Sequence, residues 1–313
     1  MTQQKPLIVI AIGGNALLQR GQAMTCANQR DNIAKTTSAL AALSQQYRLV
    51  IVHGNGPQVG LIALQNLAYT EVASYPLDVL GAESQGMIGL LLAQGLKRSM
   101  PQAQIATILT QIEVSKDDPA FANPDKFIGP IYEHQQALAL ARANDWTIKA
   151  DGDHWRRVVP SPKPLGIIEL ESVRELLDAG EIVICCGGGG SPVIRDGDEI
   201  NGVEAVVDKD LAAALLAKQL HAEHLLILTD ADNVVLNWGQ SDATPLHQVS
   251  VAEISQYQFA AGSMGPKVDA VCRFAAETGG IGHIGALAKA EQIMAGTAGT
   301  HVSRETVAPA VAS

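Results

Sequence analysis

The chain has 313 residues, 47% hydrophobic, 4% aromatic and 17% charged, a composition that excludes a disordered or coiled-coil protein and allows one large or two modest domains with a sizeable core. Its formal charge of −10 excludes nucleic-acid binding as the main task, because phosphate backbones select basic faces. A small anionic substrate remains compatible, since a few local lysines outweigh a distant negative surface.

The first apolar run, residues 7–12, stops at Gly13-Gly14-Asn15. It is too short for a secretory core, and nowhere do about 18 uncharged apolar residues follow one another. The four cysteines, Cys26, Cys185, Cys186 and Cys272, show no metal-ligand spacing, so reduced thiols and a cytoplasmic location are expected. Glycines after a strand leave backbone N–H groups free of side-chain bulk, so Gly13-Gly14-Asn15 reads either as a tight turn or as a phosphate cradle.

A second run, 49–52, leads into His53-Gly54-Asn55-Gly56-Pro57-Gln58-Val59-Gly60. This repeats the strand-then-glycine arrangement and adds Asn55 and Gln58 as side-chain donors. Pro57 and the displaced third glycine fit a dinucleotide fingerprint poorly. Ala82-Glu83-Ser84-Gln85-Gly86 has the outline of a nucleophile elbow, but no apolar strand enters it, so Ser84 reads as a helix start and a serine hydrolase is disfavoured. Met87, Leu90 and Leu91 follow at helical spacing as core residues.

After a third strand at 105–109 the pattern breaks between 113 and 166, where Pro119, Pro124, Pro130, Pro160, Pro162 and Pro164 accompany the basic pair Arg156-Arg157. This is expected to be a small lid subdomain. A fourth strand, 182–186, runs into the four glycines 187–190, read as a flexible connector or as a close approach to a ligand. The Gly- and Asp-rich stretch to 202 is a candidate hinge or hairpin between an N-terminal lobe (1–200) and a C-terminal one (201–313).

Asp208-Lys209-Asp210 opens the helical pattern 211–220. Asp208 is placed to be the N-cap, and a lysine at a helix N-terminus opposes the macrodipole, the kind of local rule that function overrides. His221 and His224 read as a surface pair at the helix end, since a zinc site would need a third ligand. A fifth strand, 225–228, ends in Thr229-Asp230-Ala231-Asp232-Asn233, which could hold ribose hydroxyls or simply cap a turn. A second isolated lysine stands in Gly262-Ser263-Met264-Gly265-Pro266-Lys267, and residues 306–313 read as a disordered tail. No Gly-Lys dipeptide occurs, which excludes a Walker A loop.

Fully apolar strands alternating with helices predict an α/β fold: a three-layer α/β/α sandwich around a mainly parallel sheet, with the ligand beyond the carboxyl ends of the strands. Those ends carry the glycine clusters.

Taken together, the strings Ala11-Ile12-Gly13-Gly14-Asn15-Ala16-Leu17, His53 to Gly60, Ser84-Gln85-Gly86-Met87-Ile88-Gly89, Gly129-Pro130, Trp155-Arg156-Arg157-Val158-Val159-Pro160-Ser161-Pro162, the four glycines 187–190, Asp208-Lys209-Asp210-Leu211 and Gly262 to Lys267 resemble the carbamate kinase family, within the amino-acid kinase fold. The resemblance covers about residues 7–302. It implies reversible phosphoryl transfer between carbamoyl phosphate and ADP, giving ATP and carbamate, with Mg2+ and a homodimeric assembly. It also implies that Lys209 and Lys267 neutralise the migrating phosphoryl group, that Asp210 orients them, and that Lys126 reaches in from the protruding subdomain. Gly13, Gly14, Asn15, Gly54 and Asn55 would hold the carbamoyl phosphate side. Thr229, Asp230, Asp232 and Met264 would border the nucleotide, with no protein ligand to the metal.

The chain departs from the family pattern at Glu83, Phe127, Ile131, His154 and Ser191, which suggests a divergent subgroup, one serving ureide rather than arginine breakdown. Two alternatives stand beside this reading: another small-acid kinase of the same fold, and a non-catalytic subunit that binds carbamoyl phosphate.

Overall fold

Alternation along the central strands decides the architecture. In Leu7–Ile12 the side chains of Leu7, Val9 and Ala11 enter one apolar core, and those of Ile8, Ile10 and Ile12 enter another, because successive strand residues face opposite sides of a sheet. Val50 and Val52 against Leu49 and Ile51, and Leu225 and Ile227 against Leu226 and Leu228, divide in the same way. Strands apolar on both faces need helices on both.

The computed structural model describes residues 4–19, 21–260 and 262–305. Its eight-stranded sheet has the order Gln248–Ser250, Thr300–Ser303, Ile281–Ala286, His224–Thr229, Leu7–Ile12, Arg48–His53, Ile182–Ile184, Ile105–Thr107. All neighbours are parallel except Thr300–Ser303, which runs antiparallel to Ile281–Ala286. Helices Cys26–Ser44, Leu77–Ser99 and Ala290–Met294 cover one face, and Leu170–Asp178, Lys209–Gln219 and Met264–Thr278 the other. This is the three-layer sandwich expected from the sequence. Strands drawn from 1–200 and from 201–313 share this one sheet, meeting where Leu7–Ile12 pairs with His224–Thr229.

Within the stretch 113–166, residues 126–159 form a flap: the antiparallel strands Lys126–Tyr132, His154–Val159 and Thr147–Asp151 with the helix His134–Asn144. The flanking strands Gln111–Val114 and Pro164–Ile167 belong instead to a four-stranded sheet with Ser191–Asp196 and Glu199–Gly202. The flap rests on the body through an apolar cluster in which its Ile128 and Val159 meet Val59, Ile62, Leu77 and Leu80.

Several local expectations are corrected. Ser84 does not start a helix; it lies buried inside Leu77–Ser99. The four glycines are no flexible connector: Gly187–Gly189 form a buried turn, and Gly188, Gly189 and Gly190 have φ of 66°, 93° and 82°. His221 and His224 are not a surface pair. His221 terminates the preceding helix with φ 54°, whereas His224 opens a strand and shares a 3.1 Å hydrogen bond with the buried His283, which in turn reaches His301 at 2.8 Å. The tail 306–313 lies outside the described residues.

Candidate active site

Two helices aim their N-termini at one buried carboxylate. Asp208 caps Lys209–Gln219, its Oδ1 accepting the Asp210 N–H at 2.9 Å; Lys209 and Asp210 therefore fall in the first turn. Lys267 lies in the first turn of Met264–Thr278. Lys209 Nζ donates to Asp210 Oδ1 at 2.5 Å and Lys267 Nζ to Asp210 Oδ2 at 3.0 Å, with Asp210 only 2% exposed. A buried carboxylate gripped from both sides fixes two ammonium groups side by side, against their mutual repulsion and against the dipole that disfavours cations at helix N-termini. Burial pulls the Lys209 ammonium below the ordinary lysine range, with Asp210 opposing and Lys267 reinforcing the shift.

A third ammonium arrives from the flap. Lys126 Nζ donates to Asp208 Oδ2 at 2.7 Å. Burial alone would raise the Asp208 carboxyl, but Lys126, then Lys209 and the Asp210 N–H, bring it down to about 2. The structure thus gathers Lys126, Lys209, Lys267 and Asp210 around one point. Asp208, read from sequence as a cap alone, is the additional member; its place beside Lys209 was the only signal.

The glycine loops close on the same point. A Cβ added at Gly54 would lie 3.4 Å from Lys209 Cδ and 3.5 Å from the Gly14 nitrogen. The N–H groups of Gly13 and Gly54 are not available to a ligand, because they bond to Leu228 O at 3.1 Å and Ile12 O at 3.0 Å. Gly14 and Gly56 are each the first residue of a helical turn, so their N–H groups have no acceptor in their own element. The side chain of Asn15 lies outside the described ones.

Asn55 and Gln58 turn their amide groups into the protein, Asn55 Nδ2 donating to Ser84 Oγ at 2.7 Å and Gln58 Nε2 to Gln29 Oε1 at 3.1 Å. They brace the loop. Behind it Gln85 bonds Thr110 and Ser191, Thr110 Oγ1 accepts from Cys186 N, and Gly187–Gly190 pack against His53, Asn55, Val207 and Ile112. Sequence reading missed this bracing network, because its polar residues are far apart along the chain.

Thr229 ends its strand beside Leu7–Ile12, and Asp230 follows. Asp232 pairs with Lys289 at 2.9 Å, and Met264 opens the helix that carries Lys267. Of the five departures, Glu83 and Ile131 are exposed, Phe127 lies under the Arg156 guanidinium at 5.6 Å, and His154 Nδ1 stands 3.4 Å from Glu133 Oε1. Ser191 Oγ donates to Asp78 O at 3.0 Å. None of the five belongs to the lysine cluster.

A profile of the amino acid kinase family matches residues 6–284. The chain belongs to that family. Within it, the chain is similar to the carbamate kinase of Escherichia coli strain K12, with 54% identity over 95% of this chain and 99% of that one, and to that of Pyrococcus horikoshii, with 45% identity over 95% and 98%. Among solved structures, the carbamate kinase of Giardia lamblia bound to AMP-PNP superposes with a TM-score of 0.89 at 40% identity, covering 96% of this chain and 98% of that one. An isopentenyl phosphate kinase from T. acidophilum, at 13% identity and TM-score 0.55, shares the fold alone. The matches to these carbamate kinases cover 95–96% of this chain. Among the described residues no helix is long and apolar enough to cross a membrane.

Proposed function

We infer that this family member is a carbamate kinase, transferring a phosphoryl group reversibly between carbamoyl phosphate and ADP. The observation that carries the reading is the pair of ammonium groups, Lys209 and Lys267, held on the single buried carboxylate of Asp210, with Lys126 beside them on Asp208. In the ATP-forming direction the bond from phosphorus to the carbamate oxygen breaks, and a terminal phosphate oxygen of ADP bonds to phosphorus. Negative charge spreads over the three oxygens of the moving group, which is where fixed cations lower the barrier.

In this reading Lys209 and Lys267 hold the moving group, Asp210 keeps them parallel, and Lys126 binds from the flap. The Gly14 and Gly56 amides lie on the carbamoyl phosphate side with Gly13, Asn15, Gly54 and Asn55. Thr229, Asp230, Asp232 and Met264 border the nucleotide. Both nucleophiles, the ADP oxygen and the carbamate oxygen, are already anionic, so no general base is required. His53, buried behind the loop with Nδ1 donating to Gly54 O at 3.0 Å, is a support.

Among the described residues no cluster of His, Cys, Asp and Glu could hold a metal, and both carboxylates of the site are taken up by lysines. The described residues therefore offer no cage for Mg2+. The fit is to an ion carried by the nucleotide's phosphates, as Mg2+ commonly is.

A homodimer would cover the exposed Val79 and Leu90 of the helix Leu77–Ser99 together with Leu109, next to the sheet's edge strand Ile105–Thr107. Four unpaired cysteines suit the cytoplasm. The test of function is a coupled assay for ATP formed from ADP and carbamoyl phosphate, with acetylglutamate and aspartate as competing acceptors of the kinase reading. ATP formation dependent on carbamoyl phosphate is expected; turnover supported only by one of the other acids would replace the assignment.

A further inference from the structure

We propose that Asp208 is the resting partner of Lys126, an internal stand-in for substrate that an incoming phosphoryl anion must displace. The proposal deepens the kinase reading and rests on it for the identity of the anion. Asp208 is thereby a positioning residue.

The three lysines are held in two different ways. Lys209 and Lys267 share both oxygens of Asp210, and their side chains are 13% and 17% exposed. Lys126 has one carboxylate oxygen and is 38% exposed. An ammonium on a single, partly solvated contact exchanges partners easily, whereas two ammonium groups clamped on one buried carboxylate do not. Lys126 is the member of the cluster free to move between acceptors.

Asp208 performs two tasks with two different oxygens. Oδ1 accepts the Asp210 N–H and so caps the helix bearing Lys209 and Asp210; Oδ2 holds Lys126. The cap needs only an oxygen, which an amide supplies equally well. The grip on Lys126 needs a charge. An asparagine at 208 therefore separates the two.

The rest of the flap does not depend on that grip. The Arg157 guanidinium bonds Glu204 Oε2 at 3.1 Å while Glu204 Oε1 accepts the Leu77 N–H at 2.7 Å, and Val206 N donates to Pro160 O at 3.0 Å. With Ile128 and Val159 packed on the body, release of Lys126 leaves the flap anchored and moves only its first strand's end. Two carboxylates against three lysines leave the resting cluster with one excess positive charge. An arriving phosphoryl group takes Lys126 and leaves Asp208 unpaired beside an anion. That repulsion weakens ground-state binding and returns Lys126 to Asp208 when the anion departs.

The experiment is a double-mutant cycle in the full-length protein, Asp208→Asn and Lys126→Met, reading the dissociation constant of inorganic phosphate by calorimetry and the KM for carbamoyl phosphate. Asp208→Asn is expected to tighten both by roughly three- to tenfold, the scale of a partly exposed ion pair, and to change neither in the Lys126→Met background. Weaker phosphate binding in Asp208→Asn would overturn the proposal, since Asp208 would then be holding Lys126 in its working place. Equal tightening with and without Lys126 would also overturn it, reducing Asp208 to a general negative field. Asp208→Ser, which keeps a capping oxygen, repeats the test should the asparagine variant fold poorly. The phosphate measurement decides the role of Asp208 even if carbamoyl phosphate is not the substrate.

Discussion

Asp210 accepts two ammonium groups while 2% exposed, a costly arrangement for folding, since each buried charge must recover its desolvation from its partners. Lys209→Ala removes one of the cations proposed to face the moving phosphoryl group. Turnover should fall by roughly 10³-fold with the fold intact, because the loss falls on the transition state; steady-state kinetics beside a thermal melt would expose a rate like wild type as the contrary result. Asp210→Asn should lower kcat by about 10²-fold while nucleotide affinity, followed by fluorescence titration, changes only a few-fold. Equal losses in both would mean that Asp210 binds nucleotide rather than orienting lysines. Lys209 stood out in the sequence because a cation at a helix start breaks local preference, and Lys267 because it is isolated among glycines, whereas Lys126, which opens a strand, and Asp210, an acid in a first turn, were reached through the family resemblance alone. Gly13 and Gly54 were legible as positions but not in role, since only coordinates show their amides engaged by neighbouring strands.

At the scale of elements, the turn of four glycines is the rigid part behind the site. Gly189 has φ 93°, and a Cβ there would lie 2.1 Å from Val207 O. Gly189→Ala should therefore cost at least about 2 kcal/mol, seen as a lower urea midpoint; an unchanged midpoint would show that the Val203–Asp208 stretch shifts freely. The same close contacts explain what the sequence hid. The five strands read from apolar runs are all present, but Ile281–Ala286 escaped because Gly282 and Gly285 interrupt it. Those glycines sit where a Cβ would press on Val271 and Ile293 at 2.5 Å, so helix packing, not strand propensity, chose them. Ser84 misled for a related reason: Gly81, Gly86, Gly89 and Gly95 punctuate the helix Leu77–Ser99, and Gly89 gives room to Thr107 of the edge strand, 2.3 Å from its would-be Cβ.

For the whole molecule, buried histidines make stability depend on pH. Burial holds His53 down to about 4, with its bond to Gly54 opposing, and burial also lowers His224, His283 and His301. The folded state keeps these rings neutral while the unfolded chain protonates near 6.5. Their contribution is therefore fully present above pH 6.5 and declines as pH falls, His53 alone accounting for roughly 2 kcal/mol by pH 5. Urea midpoints between pH 7 and 5 should drop accordingly; a flat profile would contradict neutral burial.

The sequence pattern captured the sandwich, which follows from apolar strands separated by helices. It read 113–166 as one excursion, within which residues 126–159 form the three-stranded flap, because prolines mark loops on either side of the flap as readily as the flap itself. In the proposed reaction, lysines from two helices and a flap act together upon one phosphoryl group. The most direct measurement is the initial rate of ATP formation from ADP and carbamoyl phosphate by the wild-type chain and by Lys267→Ala. Rapid formation by the first and a loss of roughly 10²-fold or more in the second are expected; comparable rates from both would contradict the account.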